Sequence, residues 1–95
     1  MNTMISPIIR RAILDLLTDI GGDHNHEELT LLLRNLGHRV SFSSVAGELH
    51  TLGEWGFLRA QNVGSYTVAS ITPDGRDIAD GMMVHEGVSK FKTGN

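Results

Sequence analysis

Ninety-five residues, 40% of them apolar, are enough for one hydrophobic core and too few for two. With no cysteine, disulfides and thiolate-rich zinc sites are excluded. No apolar run approaches the roughly 18–20 residues of a membrane-spanning helix, so a cytoplasmic protein without membrane contact is expected. The net charge of −3 weighs against assuming a nucleic-acid partner, since neutralising phosphates supplies most non-specific affinity for DNA.

Ser6-Pro7 reads as a helix start, a hydroxyl cap followed by a residue whose missing N–H costs nothing there. Ile9, Ile13, Leu16, Leu17 and Ile20 follow at helical spacing, and Gly21-Gly22 ends the run. The charges Arg10, Arg11, Asp15 and Asp19 make this an amphipathic helix and not a signal peptide. A second start lies at Asn25, with Glu27 and Glu28 placed to complement the helix dipole. Leu29, Leu32, Leu33 and Leu36 form its expected buried stripe, and Gly37 its stop. Ser41 caps a third helix, with Val45, Leu49 and Leu52 inward and Phe42 and Trp55 flanking them. Two helices joined by a short glycine-containing turn are the sequence form of a helix-turn-helix.

The periodicity then changes. Phe57–Ala60 and Tyr66–Ile71 have the composition of strands, joined by a polar turn at Gln61–Ser65 to form a hairpin, or wing. Thr72-Pro73-Asp74 opens a last short helix that carries Ile78 and Ala79 inward and stops near Gly81. The expected fold is therefore α+β, mainly α: a single winged helix-turn-helix domain over 1–95, in the order α-α-α-β-β-α with a C-terminal tail at 82–95.

From Phe57-Leu58 through Ile71-Thr72-Pro73-Asp74-Gly75-Arg76 the chain resembles the wing and following helix of ArsR-, MarR- and PadR-type regulators. A resemblance over nearly the whole chain is to the small winged-helix proteins of Mu-like prophages. It is carried by Leu36-Gly37-His38-Arg39-Val40-Ser41, by Leu49, Leu52 and Gly56, by Thr72-x-x-Gly75-x-x-x-Ala79-x-Gly81, and by Val84-x-x-Gly87-Val88. It implies a phage-related protein with a fold of the DNA-binding type. That family carries several arginines in its third helix, whereas residues 42–51 here contain neither Lys nor Arg.

Two readings of the third helix follow. As a recognition helix it presents Ser43, Gly47, His50 and Thr51, with Ser44 beside them and Ser41 at its cap. Arg39 in the turn, and Arg59, Gln61 and Asn62 in the wing, would then contact DNA, with Lys90 and Lys92 as further phosphate ligands. Gly47 would allow close approach of a backbone. As a plain solvated face, the same helix carries Glu48 and Glu54, which repel phosphate. Arg11 and Asp15, four apart, can pair on the helix surface.

His24, His26 and His38, with Glu27 and Glu28, are better read as polar loop residues than as metal ligands, so neither metal nor cofactor is expected. No phosphate loop, nucleophile elbow or carboxylate pair suggests an enzyme. Ile5, Ile8 and Ala12 of the first helix, with Met82, Met83, Val84, Val88 and Phe91 of the tail, exceed what a small core can bury. They predict a homodimer interface; the alternative is a tail folded back on its own domain. The functional expectation is a dimeric DNA-binding transcriptional regulator, with a non-enzymatic adaptor for a phage or host protein as the alternative.

Overall fold

The computed structural model describes residues 5–90. Its elements are α1 (Ser6–Ile20), β1 (His24–Asn25), α2 (His26–Asn35), α3 (Phe42–Glu54), β2 (Leu58–Val63), β3 (Tyr66–Ile71) and α4 (Pro73–Ala79). Four helices and a three-stranded antiparallel sheet of order β1-β3-β2 make a small, mainly helical α+β fold.

Each helix starts on a local signal, with one exception. Asn25 caps α2 by accepting from the Glu28 N–H (2.8 Å), while the Glu28 carboxylate accepts from the Asn25 N–H (2.9 Å). Ser41 and Ser44 make the same reciprocal box at α3, and Thr72 caps α4 by accepting from the Gly75 N–H. Ser6 is not the cap of α1. Ile5 holds that position without a side-chain bond, and Ser6 is a buried first residue of the helix. Pro7 fits either of the first two helical positions, so α1 begins one residue sooner than Ser6-Pro7 suggests.

β1 carries no sequence signal, because two residues are too short for strand alternation. It pairs with β3 in the register His24↔Ala69 and Asn25↔Val68, and so delivers the chain to the start of α2. The β2–β3 hairpin is longer than its composition suggests. Gln61, Asn62 and Val63 belong to the strand, and the turn is Gly64-Ser65 alone, closed by the pair Val63↔Tyr66. Only Gly64 has positive φ (60°), the pattern of a type II′ turn that matches strand twist.

The core joins Ile9, Ile13, Leu14 and Leu17 of α1 to Leu29, Leu33, Val45, Leu49, Leu52, Leu58 and Ile78. The expected stripe of α2 is corrected. His26, Leu29, Thr30 and Leu33 are buried, whereas Leu32 and Leu36 stay 36% and 45% exposed. His26 takes the first core position because its Nδ1 accepts the Thr67 N–H (3.1 Å), which turns the helix about its axis. Leu16 is half-buried, and Ile20, at the end of α1, is exposed.

The described part of the tail, residues 82–90, packs on its own domain, held by two adjacent arginines. Arg10 pairs with Glu48 (2.8 Å), donates to the Gly87 carbonyl (3.0 Å) and lies over the Trp55 ring. Arg11 is 6% exposed; beyond its Asp15 partner it donates to the Ala79, Ser89 and Lys90 carbonyls. The pair with Asp15 exists as the spacing suggests, but it is a half-buried tether and not a surface bridge. The Ser89 N–H also donates to the Pro7 carbonyl (3.0 Å). Ala12 and Val88 are thereby core residues and Met83 packs against the core, so these three leave the expected dimer surface. Ile5, Ile8, Met82 and Val84 remain exposed, and Phe91 and Lys92 lie outside the described residues.

Two measurements check this account. A Cβ at Gly75 would overlap the Phe57 carbonyl oxygen, a backbone atom that cannot swing aside. Gly75→Ala is expected to lose about 1–3 kcal/mol in urea unfolding, an overpacking penalty. Glu48→Ala leaves Arg10 without its carboxylate in a site where the paired side chains are 19% and 8% exposed. The cost expected from the same titration is roughly 1–3 kcal/mol, below that of a fully buried pair because Arg10 keeps some contact with water.

Candidate nucleic-acid interface

The outer face of α3 follows from which residues its inner face consumes. Val45, Glu48, Leu49 and Leu52 are buried. At 100° per residue this leaves Ser43, Gly47, His50 and Glu54 outward, all exposed, with Ser44 and Thr51 half-buried beside them. Glu48 is the correction. It does not face a ligand on this side but turns to Arg10 of α1, where its charge is cancelled. The solvated face of the helix therefore keeps one carboxylate, Glu54, at its far end.

Within that face the polar groups differ in how committed they are. Ser41 and Ser44 are engaged in the cap, and the Ser44 Oγ also donates to the Ser41 carbonyl (3.1 Å). The Thr51 Oγ1 donates back to the Gly47 carbonyl (3.2 Å). Ser43 keeps only a long contact to Ser41 (3.4 Å). At Gly47 a Cβ would meet nothing within 4 Å, so no neighbour inside the chain requires a glycine there.

The hairpin divides the remaining candidates. Leu58 is buried and Ala60 packs against Gly53 of α3, so alternation puts Asn62 on the same side. The Asn62 Oδ1 accepts from the Thr67 hydroxyl (3.2 Å), which lies 3.5 Å from the His50 Nε2; α3 and the hairpin meet through this chain. Arg59 and Gln61 occupy the opposite pleat, in a shallow depression with Asp23, Val68 and Ser70. Sequence spacing grouped all three hairpin residues. The strand's period of two separates them.

At the other end of α3, Arg39 is exposed in the turn after α2, beside a groove of about 590 Å³ that Arg34, Gly37, His38, Val40 and Ser41 also line. Arg34 was not among the expected contacts. Its Nε donates to the Val40 carbonyl (3.0 Å) and its guanidinium lies over Phe42 at 4.8 Å, so it is held next to Arg39 at the start of α3. The residue type eight positions before α3 was visible in sequence, but not its fold back along the turn. A second groove of about 560 Å³ runs between the end of α3 and β2, with His50, Glu54 and Arg59 on its walls.

The histidines have separate jobs. The His24 Nε2 is 2.7 Å from the Gly21 carbonyl, His26 accepts from β3, and His38 lines the α2–α3 groove. Among the described residues no three His, Asp or Glu side chains converge as a metal site, and no helix is long and apolar enough to cross a membrane.

No family model matches this chain, and no solved structure matches it. It is similar to the uncharacterized protein gp26 of Escherichia phage Mu, with 29% identity over 90 residues that cover 95% of this chain and 94% of that protein. The likeness runs nearly the length of both chains and supports a relation to phages of the Mu type.

Proposed function

We propose that this chain is a winged helix-turn-helix protein that binds double-stranded DNA and regulates phage genes, with α3 in the major groove and the β2–β3 hairpin as its wing. The observation that carries the reading is the inward turn of Glu48 onto Arg10, which leaves the middle of the outer face of α3 free of acidic side chains. The element order supports it, with two helices joined by a short turn, then a hairpin. In this reading Arg39, with Arg34 beside it, holds phosphates at the start of α3. Ser43 and His50 face base edges, and Gly47 lets the groove wall approach the helix backbone. Asn62 joins them from the wing, while Arg59 and Gln61 serve the phosphate backbone from the wing's other pleat. Neither a cofactor nor catalysis is part of the proposal, and the cytoplasm is the proposed location.

A second reading, a non-enzymatic adaptor for a phage or host protein, is favoured by one specific observation: α3 contains neither Lys nor Arg, in a chain of net charge −3. DNA binding then rests on few phosphate contacts, and its salt dependence should be shallow.

Fluorescence anisotropy with fragments of phage promoters separates the two. At about 50 mM salt binding is expected, weakening as salt rises. Arg39→Ala is expected to lower affinity several-fold on every fragment and to reduce the salt slope by about one. His50→Ala should instead change the ranking among fragments. No binding at about 50 mM salt, where phosphate contacts are strongest, overturns the DNA reading and leaves the adaptor.

A further inference from the structure

We propose that the buried hydroxyl of Thr67 fixes the hydrogen-bonding sense of the reading face, giving His50 an acceptor to present and Asn62 a donor. The group that His50 meets is then an exocyclic amino group in the major groove of DNA. Thr67 lies on β3, is 6% exposed and touches both residues. Its backbone N–H is spent on the His26 Nδ1 (3.1 Å), which holds it against α2. Its side chain has one hydrogen to give and two lone pairs. The Asn62 Oδ1, 3.2 Å away, takes the hydrogen. What the hydroxyl turns toward the His50 Nε2, at 3.5 Å, is a lone pair.

The two distances set the direction of this chain. Turning the hydrogen to His50 would leave two accepting oxygens 3.2 Å apart in exchange for a contact of 3.5 Å. With a lone pair facing it, the neutral imidazole keeps its proton on Nε2, because two bare acceptors repel. A neutral ring has a single N–H, so Nδ1 is bare. No hydrogen bond among the described residues engages that nitrogen, and His50 is exposed. Asn62 has the opposite sense: its oxygen is engaged and its two N–H donors remain, on an exposed residue. Phosphate oxygens only accept, so a bare Nδ1 finds no partner there. In the major groove it is met by adenine N6 or cytosine N4, while the Asn62 donors suit guanine O6 and N7, adenine N7 or thymine O4. The base contact rests on the DNA reading of α3; the hydrogen-bond chain behind it does not.

Nitrogen-15 NMR of the histidine rings tests that chain on the full-length protein without DNA, at about pH 8.5, where imidazole is neutral. Native His50 is expected to be protonated on Nε2 and bare on Nδ1. Asn62→Ala frees the Thr67 hydrogen to turn to His50, so the ring proton should move toward Nδ1. Asn62→Asp, which keeps an accepting oxygen, should hold the native tautomer, and Thr67→Val should leave a mixture. Circular dichroism confirms that each variant is folded. On DNA, the tightest-bound promoter fragment is tested with each adenine replaced by 2-aminopurine, whose amino group lies in the minor groove, or each cytosine by 2-pyrimidinone, which has none. One replacement should weaken native binding about threefold to tenfold, the loss of a single hydrogen bond, and leave His50→Ala unaffected. A native His50 protonated on Nδ1 means that the chain runs the other way and overturns the proposal. A tautomer that neither Asn62→Ala nor Thr67→Val moves overturns the role of Thr67. Binding in which no replacement acts through His50 overturns the base contact while the DNA reading stands. Failure to bind any fragment at about 50 mM salt overturns both, whatever the ring spectrum shows.

Discussion

Arg10 leaves α1 and reaches three distant parts of the chain at once: the carboxylate of Glu48 in α3, the indole of Trp55 after it, and the Gly87 carbonyl in the tail. Much of the molecule's arrangement follows from this one guanidinium. It fixes the rotation of α3, because Glu48 must point at α1 for the pair to form. It also seats the tail, whose Gly87 lies so close to Trp55 that a Cβ there would overlap the ring. Arg11, one residue on, completes the attachment through carbonyls of α4 and of the segment after it. A charged pair in such a place contributes less net stability than its distance suggests, since both groups lose water; its larger effect is to select one packing over its neighbours.

That selection decides the character of the surface. Were Glu48 turned to solvent, the middle of α3 would present a carboxylate beside Gly47 and His50. With its charge cancelled internally, the exposed middle of the helix is neutral and small, ringed by Arg34 and Arg39 at one end and Glu54 at the other. The acidic surplus of the sequence lies elsewhere, at Glu27 and Glu28 on α2 and at Asp74, Asp77 and Asp80 along α4. A net charge of −3 is thus compatible with a face that an anion can approach, because distribution and not the sum sets the local potential.

How much of this was legible in the sequence depended on range. Asn25, Ser41 and Thr72 cap their helices as their residue types foretell, because capping involves neighbours three residues away. Gly75, by contrast, is explained by contact with Phe57, eighteen positions earlier, which only the folded chain displays. The Arg10–Glu48 pair spans 38 residues, so Glu48 read as an outward acid. The stripe of α2 was misplaced because leucine sits on both faces of that helix, leaving His26 to decide which is buried. Gln61 was grouped with Asn62 because the polar run looked like a turn, which has no pleat to separate side chains, and Arg59, read as strand, was joined to them as part of the same wing. Of the candidate site, the outward placement of the α3 residues was legible, their division into engaged and free was not, and Arg34, visible near the end of the second helix, was not placed among the contacts.

Trp55 offers a practical handle on the tail. The chain contains a single tryptophan, and its ring is packed against His85 at 4.3 Å between centroids, with the Arg10 guanidinium 5.0 Å from it. An indole in contact with an imidazole and a cation emits differently from one open to water. Any event that lifts residues 85–88 away from α1 strips one side of that stack. The protein therefore carries an intrinsic optical reporter, placed by its own folding at the junction of the tail, α1 and α3.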